Sequence, residues 1–115
     1  MRHFLSSFFK GQCALFFSCP EIGQGLYIQH GFSTIISAQK IGENCWINQQ
    51  VTIGHKTGRS PTLGNNVHVS AGAKVLGGIT IGDYVVIGAN TVVIKNEPNN
   101  CTVVGVPAWI VRKTE

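Results

Sequence analysis

The sequence predicts an all-β solenoid, a parallel β-helix of triangular coils, and three regularities carry that prediction. Counting in steps of six from Leu63 gives Val69, Val75, Ile81, Ile87 and Val93, an unbroken aliphatic register. A period of six fits neither the helical 3.6 nor the strand period of 2, and a fixed short repeat is the signature of a solenoid. The residue after the aliphatic one is often glycine, as at Gly23, Gly42, Gly54, Gly64, Gly82 and Gly88. The fourth residue after it is apolar or small, as in Cys45, Val51, Val67, Ala73, Ile79, Val85 and Thr91. These are the needs of a short strand with one inward side chain, a tight corner of little bulk, and a second side chain filling that corner.

Taken in order, residues 1–19 stand apart, because Phe4, Leu5, Phe8, Phe9, Leu15, Phe16 and Phe17 gather five of the chain's six phenylalanines into one apolar stretch. Lys10 interrupts this apolar stretch and no small-residue cleavage site follows, so it does not read as a signal peptide. It is too short and broken to span a bilayer and reads as a cap on the open end of the solenoid, with peripheral membrane contact as the alternative. The repeat begins at Ile22 and Ile28, slips by one residue near His30 and Gly31, and resumes at Ile35, Ile41, Ile47 and Ile53. A loop at 54–62 precedes the restart at Leu63. Twelve hexads, three to a coil, make about four coils over 20–98; Pro98 ends the repeat, and 99–115 read as an irregular strand and tail.

Of the 115 residues, which read as one domain, only 12% are charged while 43% are hydrophobic, so part of the surface is expected to be buried by self-association. The net charge of +4 comes from nine scattered Lys and Arg without interleaved aromatics, which argues against nucleic acid. A polyphosphate needs only a few cations together, and Lys56, Arg59, Lys74, Lys95 and Arg112 are candidates. Cys13, Cys19, Cys45 and Cys101 form no CxxC pair and no zinc-spaced group with histidine, so reduced thiols in a cytoplasmic protein, with no metal, are expected.

The hexad pattern resembles the hexapeptide repeat of the left-handed β-helix acyltransferases over about residues 20–112, and it is from this resemblance that left-handedness follows. Three segments are more specific: Gly25-Leu-Tyr-Ile-Gln-His30, Ile47-Asn-Gln-Gln-Val-Thr-Ile-Gly54 and Val104-Gly-Val-Pro-Ala108. Together they resemble serine O-acetyltransferases and the O-acetyltransferases found with bacterial polysaccharide genes. The resemblance implies acetyl-CoA as co-substrate, a small hydroxyl acceptor, and a homotrimer whose active sites lie between neighbouring solenoids.

Within that resemblance His30 matches the catalytic base. A hydroxyl is a poor nucleophile at neutral pH, and histidine titrates in the range needed to take its proton and pass it on. Arg59 matches the arginine that holds an amino-acid carboxylate, a task suited to a two-pronged guanidinium. Ala71 and Ala89 match corners whose backbone takes the pantetheine arm, and Lys95 and Arg112 match basic positions used for the phosphates of CoA. Three positions depart from the pattern. Leu15 stands where an aspartate orients the base, Ser60 where a second histidine precedes the proline, and Trp109 where Arg or Lys is usual. His55, beside Lys56 in the same loop as Ser60, is a candidate replacement for that second histidine.

The function read from the sequence is therefore an acetyl-CoA-dependent O-acetyltransferase, with serine, another amino acid or a sugar as acceptor. A zinc enzyme of the same fold, such as a γ-class carbonic anhydrase, needs three interface histidines, two of them close in sequence, and His3, His30, His55 and His68 offer no such pair. A noncatalytic solenoid that binds a partner or ligand is the remaining alternative.

Overall fold

The computed structural model describes residues 14–114. Their strands follow one another around a triangle. The first turn contains β1 (Leu15–Ser18), β2 (Glu21–Ile22) and β3 (Tyr27–Ile28), and the second β4 (Thr34–Ser37), β5 (Lys40–Ile41) and β6 (Trp46–Ile47). The third contains β7 (Thr52–Gly54), β8 (Thr62–Leu63) and β9 (His68–Val69), and the fourth β10 (Lys74–Leu76), β11 (Thr80–Ile81) and β12 (Val85–Ile87). A fifth is made by β13 (Val92–Val93), a parallel bridge from Ile81 to Glu97, and β14 (Cys101–Val104); β15 (Trp109–Lys113) then folds back antiparallel on β14. The three faces are the parallel stacks β1-β4-β7-β10-β13, β2-β5-β8-β11 and β3-β6-β9-β12-β14, the last closed by β15.

Each face sends one residue per coil into a dry interior. The first face stacks Phe17, Ile36, Ile53, Val75 and Val93; the second Ile22, Ile41, Leu63 and Ile81; the third Ile28, Ile47, Val69, Ile87 and Val103. The corner positions Cys45, Val51, Val67, Ala73, Val85 and Thr91 are also buried, as the hexad pattern requires. Because every side chain lies above its counterpart one coil below, at a spacing of about 4.8 Å, the aliphatic stacks are continuous and stabilise the coil through burial alone.

The structure corrects the register beside His30. Ile35, read as an inward residue, is 47% exposed, whereas Ile36 is fully buried between Phe17 and Ile53. Two residues, His30 and Gly31, are added to the corner, and the following segment from Ile36 to Ile41 is one residue short, so the count recovers with a net slip of one. The coil count also changes, from four to about five. Leu15–Ser18, assigned to the cap, is the first strand of the first face, and Cys101–Val104, assigned to an irregular tail, continues the parallel stack of the third. The expected cap otherwise falls on residues 1–13, outside the described residues.

Glycine after the second-face aliphatic residue is explained by contact between coils. A Cβ on Gly23 would come within 2.7 Å of the Gly42 carbonyl carbon, one on Gly42 within 2.6 Å of that of Gly64, and one on Gly64 within 2.9 Å of that of Gly82. Beside them runs a polar ladder: Asn65, Asp83 and Asn99 each accept, through Oδ1, the backbone N–H of Glu43, Asn65 and Asp83 respectively, all at 2.8 Å. The corner is thus packed backbone on backbone with its amides satisfied from the next coil.

Candidate active site

The corner between the third and first faces carries most of the predicted site. Above the first coil it is built from Gln49-Gln50, Ala71-Gly72 and Ala89-Asn90, with Gln50, Gly72 and Asn90 in the left-handed region. The Gly72 N–H donates to the Gln49 carbonyl at 3.1 Å and the Asn90 N–H to that of Ala71 at 3.0 Å, so Gln49, Ala71 and Ala89 form one vertical row. The N–H groups of Ala71 and Ala89 themselves donate to no backbone carbonyl among the described residues. Both alanines present small side chains and free amide donors along one edge, which suits an extended, amide-bearing ligand.

His30 begins the lowest level of the same corner. With two left-handed residues, His30 at φ 54° and Ser33 at φ 51°, this corner is wider than those above it, and the Gln50 N–H closes onto the Phe32 carbonyl at 3.1 Å. Phe32 therefore occupies the level below Gln49, and His30 is added outside the repeat: its carbonyl accepts the Phe32 N–H at 2.7 Å, while its exposed side chain has no hydrogen-bond partner among the described residues. At about 4.8 Å per coil, Ala71 lies roughly 10 Å and Ala89 roughly 14 Å up the edge from the His30 level. Leu15 starts the strand beneath, paired with Thr34, so the position where the sequence resemblance leads one to expect an aspartate is at this corner but offers only an alkyl group.

Arg59 is elsewhere on the chain. The loop at 54–62 leaves the opposite edge of the first face as a two-residue hairpin: Lys56 and Arg59 exchange backbone hydrogen bonds at 2.9 and 3.2 Å around Thr57 (φ 52°) and Gly58 (φ 81°). Positive φ at both central residues matches the twist of the flanking strands, with Gly58 bearing it without cost. The Arg59 stem lies over Gly78, whose Cβ, if present, would be 2.8 Å from that of Arg59. Arg59, Ser60, Gln39, Thr62 and Thr80 line a polar groove of about 280 Å³ there. His55 and Lys56 are exposed on the same hairpin. Strand β7 thus separates the loop from the His30 corner within one chain. Lys95 and Arg112, both exposed, belong to the last coil and β15, at the far end from His30.

Sequence reasoning missed a cluster on the outer side of the third face. Tyr27, Trp46 and His68 are neighbours in register, with Trp46 stacked on His68 at 4.1 Å and 7° and Tyr27 tilted against Trp46 at 6.4 Å. The Trp46 indole N–H donates to Gln29 Oε1 at 2.9 Å, the Asn48 amide donates to the same oxygen at 3.1 Å, and Asn48 Oδ1 meets His68 Nε2 at 2.8 Å. Burial lowers the His68 pKa, which favours the uncharged ring, and with Asn48 Oδ1 as acceptor Nε2 is the donor of this bond. The available signal was the repeat itself: Tyr27, Trp46 and His68 each immediately precede an inward aliphatic residue, an outward position.

Among the described residues no group of three metal-ligating side chains occurs, and no helix is long and apolar enough to cross a membrane. Residues 60–95 match the family model for the bacterial transferase hexapeptide (six repeats). The chain is 48% identical over 99 residues to serine acetyltransferase of Synechococcus elongatus, covering 82% of this chain and 41% of the relative. Serine acetyltransferase from Brucella abortus superposes with a TM-score of 0.77 at 37% identity, covering 83% of this chain and 41% of that one. The same enzyme in complex with coenzyme A gives a TM-score of 0.69 at 33% identity, covering 83% of this chain and 40% of that one. The Neisseria gonorrhoeae enzyme in complex with serine gives 0.76 at 34%, with the same coverages of 83% and 40%. The chain spans about half the length of the curated relatives it matches, from 41% to 57%. Its coils, corners and sequence make it a hexapeptide-repeat left-handed β-helix that resembles the serine acetyltransferases.

Proposed function

We propose that the chain is an acetyl-CoA-dependent O-acetyltransferase that passes acetyl directly from the thioester to the hydroxyl of a small acceptor. The observation that carries this reading is the alignment, along one edge, of an exposed histidine at the lowest corner with the free backbone donors of Ala71 and Ala89 above it. A pantetheine arm laid along that edge brings its thioester to His30, while Lys95 and Arg112 at the other end meet the phosphates. His30 takes the acceptor proton as the oxygen attacks the thioester carbonyl. Backbone N–H groups stabilise the oxyanion, and its collapse releases CoA thiolate, which recovers the proton from the imidazolium.

Among the described cysteines, direct transfer is favoured over an acyl-cysteine because Cys45 and Cys101 are buried and Cys19 partly so, and burial raises all three thiols. An acetyl-CoA user with free thiols fits the reducing cytoplasm. The separation of Arg59 from His30 by β7 favours a trimer in which the hairpin of one subunit reaches the His30 corner of the next. Exposed Phe16 on the first face, and Tyr27 and Trp46 on the third, supply apolar surface for such contacts.

The test is thiol release from acetyl-CoA that depends on acceptor: His30→Ala should abolish it while leaving circular dichroism and thermal unfolding unchanged. Full turnover in that variant would sink the assignment. Mixed trimers locate the site. Co-expressed His30→Ala and Arg59→Ala chains, each inactive alone, should recover about a quarter of the wild-type rate if neighbours share the site, and nothing if one chain supplies both groups.

A further inference from the structure

Resting on the transferase reading above, we infer that the acceptor is a saccharide hydroxyl and not that of a free amino acid. The argument begins with charge. A free amino acid brings an ammonium group, and burying it beside a base requires an anion or a cage of acceptors. The described carboxylates are all committed to another part of the molecule. Glu21 lies on β2 and pairs with Lys40 at 3.5 Å, Glu43 and Asp83 are at the corner that follows the second face, and Glu97 is buried inside the last coil. None is at the His30 corner, and the 54–62 loop contributes Lys56 and Arg59 without any acid. A neighbouring copy that presents this loop would therefore add positive charge to the site.

What surrounds His30 holds no described carboxylate: it is amide-rich and aromatic, and the one ammonium described at this edge, that of Lys74, donates to the Gly72 and Gln50 carbonyls at 2.8 and 3.5 Å. Gln29 precedes it, Gln49 and Gln50 lie one level above, and Phe32 follows on the same corner, 40% exposed. The Gln29 oxygen is held by both Trp46 and Asn48, which leaves its NH₂ without a partner among the described residues and fixes where that donor stands. The stack of Tyr27, Trp46 and His68 locks this arrangement, so the cost of ordering it is met in folding and not at binding. Saccharides are recognised by this chemistry: fixed amides exchange hydrogen bonds with ring hydroxyls, and exposed aromatic surface covers the apolar C–H faces. Arg59 then has a use that needs no amino acid, since its guanidinium grips a carboxylate or phosphate substituent of a sugar equally well.

The experiment is an acceptor panel with thiol release as readout, using the full chain. It sets L-serine and L-homoserine against N-acetylglucosamine, N-acetylmannosamine, methyl galactoside and glucuronic acid. At least one sugar should exceed L-serine in kcat/KM by roughly tenfold or more, and Gln29→Leu should raise the KM for that sugar with kcat and the KM for acetyl-CoA little changed. Trp46→Phe, which keeps the stack but removes the indole donor to Gln29, should act in the same direction and guards against a fold defect in the first variant. Turnover of L-serine at or above every sugar overturns the inference. So does the absence of sugar turnover in protein that binds acetyl-CoA by calorimetry. Protein that does not bind acetyl-CoA at all fails the transferase reading itself, so the two failures are distinct.

Discussion

Replacing Ile36 and Ile35 separately by alanine tests the corrected register at the corner that presents His30. Ile36 is fully buried between Phe17 and Ile53, while its neighbour Ile35 is about half exposed on the outer side of the same strand. Each substitution removes three carbons. At about 0.8 kcal/mol per buried methylene, Ile36→Ala loses about 2.4 kcal/mol in transfer alone. Residual cavity raises this to about 3–4 kcal/mol, since a stack fixed by hydrogen bonds above and below collapses little. Ile35→Ala loses about half the transfer term and leaves no cavity, so about 1 kcal/mol. Urea unfolding of both variants at one protein concentration should show Ile36→Ala less stable by about 2–3 kcal/mol, with the wild-type slope against denaturant. Equal costs, or a larger cost for Ile35→Ala, would refute the two-residue insertion at His30 and Gly31 and with it the position given to His30.

Further outcomes follow from other parts of the molecule. Glu97 is 4% exposed with Oε2 unpartnered, and burial raises its pKa. The folded state then keeps a proton that the unfolded chain releases, so stability is full below the unfolded carboxyl range near about 4.3 and falls as pH rises through the raised folded value. Glu97→Gln should flatten that decline in thermal melts taken across this window. His68 has the opposite sign: with its folded pKa lowered by burial, stability is full above about 6.5 and is lost as pH falls toward the folded value, a dependence that His68→Gln should remove. Gly64→Ala should cost about 1–3 kcal/mol in denaturant unfolding, because the added methyl meets the backbone of the next coil. Gly54→Ala, whose added Cβ finds ordinary contacts at 3.7 Å, should cost less. Finally, Phe17, Leu26 and Ile28 of the first coil are only partly buried and Ile22 is exposed. If residues 1–13 cover them, their removal should lower the melting temperature and raise binding of a hydrophobic dye; unchanged values would assign that stretch another role.

The fold was legible wherever the repeat is strictly local. Leu63, Val69, Val75, Ile81, Ile87 and Val93 announce the interior, and Gly42, Gly64 and Gly82 mark a corner too close-packed for a Cβ. The ends were misread because Phe17 and Val103, which begin and end two of the stacks, are flanked by segments that break the six-residue count. Ile35 was misread as inward because an insertion of two followed by a deletion of one has the same sum as a single slip. For the site, the sequence singled out His30, Ala71 and Ala89, and the fold gathers them on one edge. It also singled out Arg59, which the fold keeps on another edge.

Sequence alone therefore determined the class of coil, since one aliphatic residue per hexad dictates what is buried in every turn without reference to distant residues. Which side chains meet across coils was decided only by tertiary structure. Residues about twenty apart, such as Trp46 with His68 or Asn48 with Gln29, become neighbours because parallel strands stack in register, and no short window of sequence contains that register. The same stacking places His30 below Ala71 and Ala89 and leaves the surface around it without a described carboxylate, because it carries each of them to the second face, its following corner or the interior.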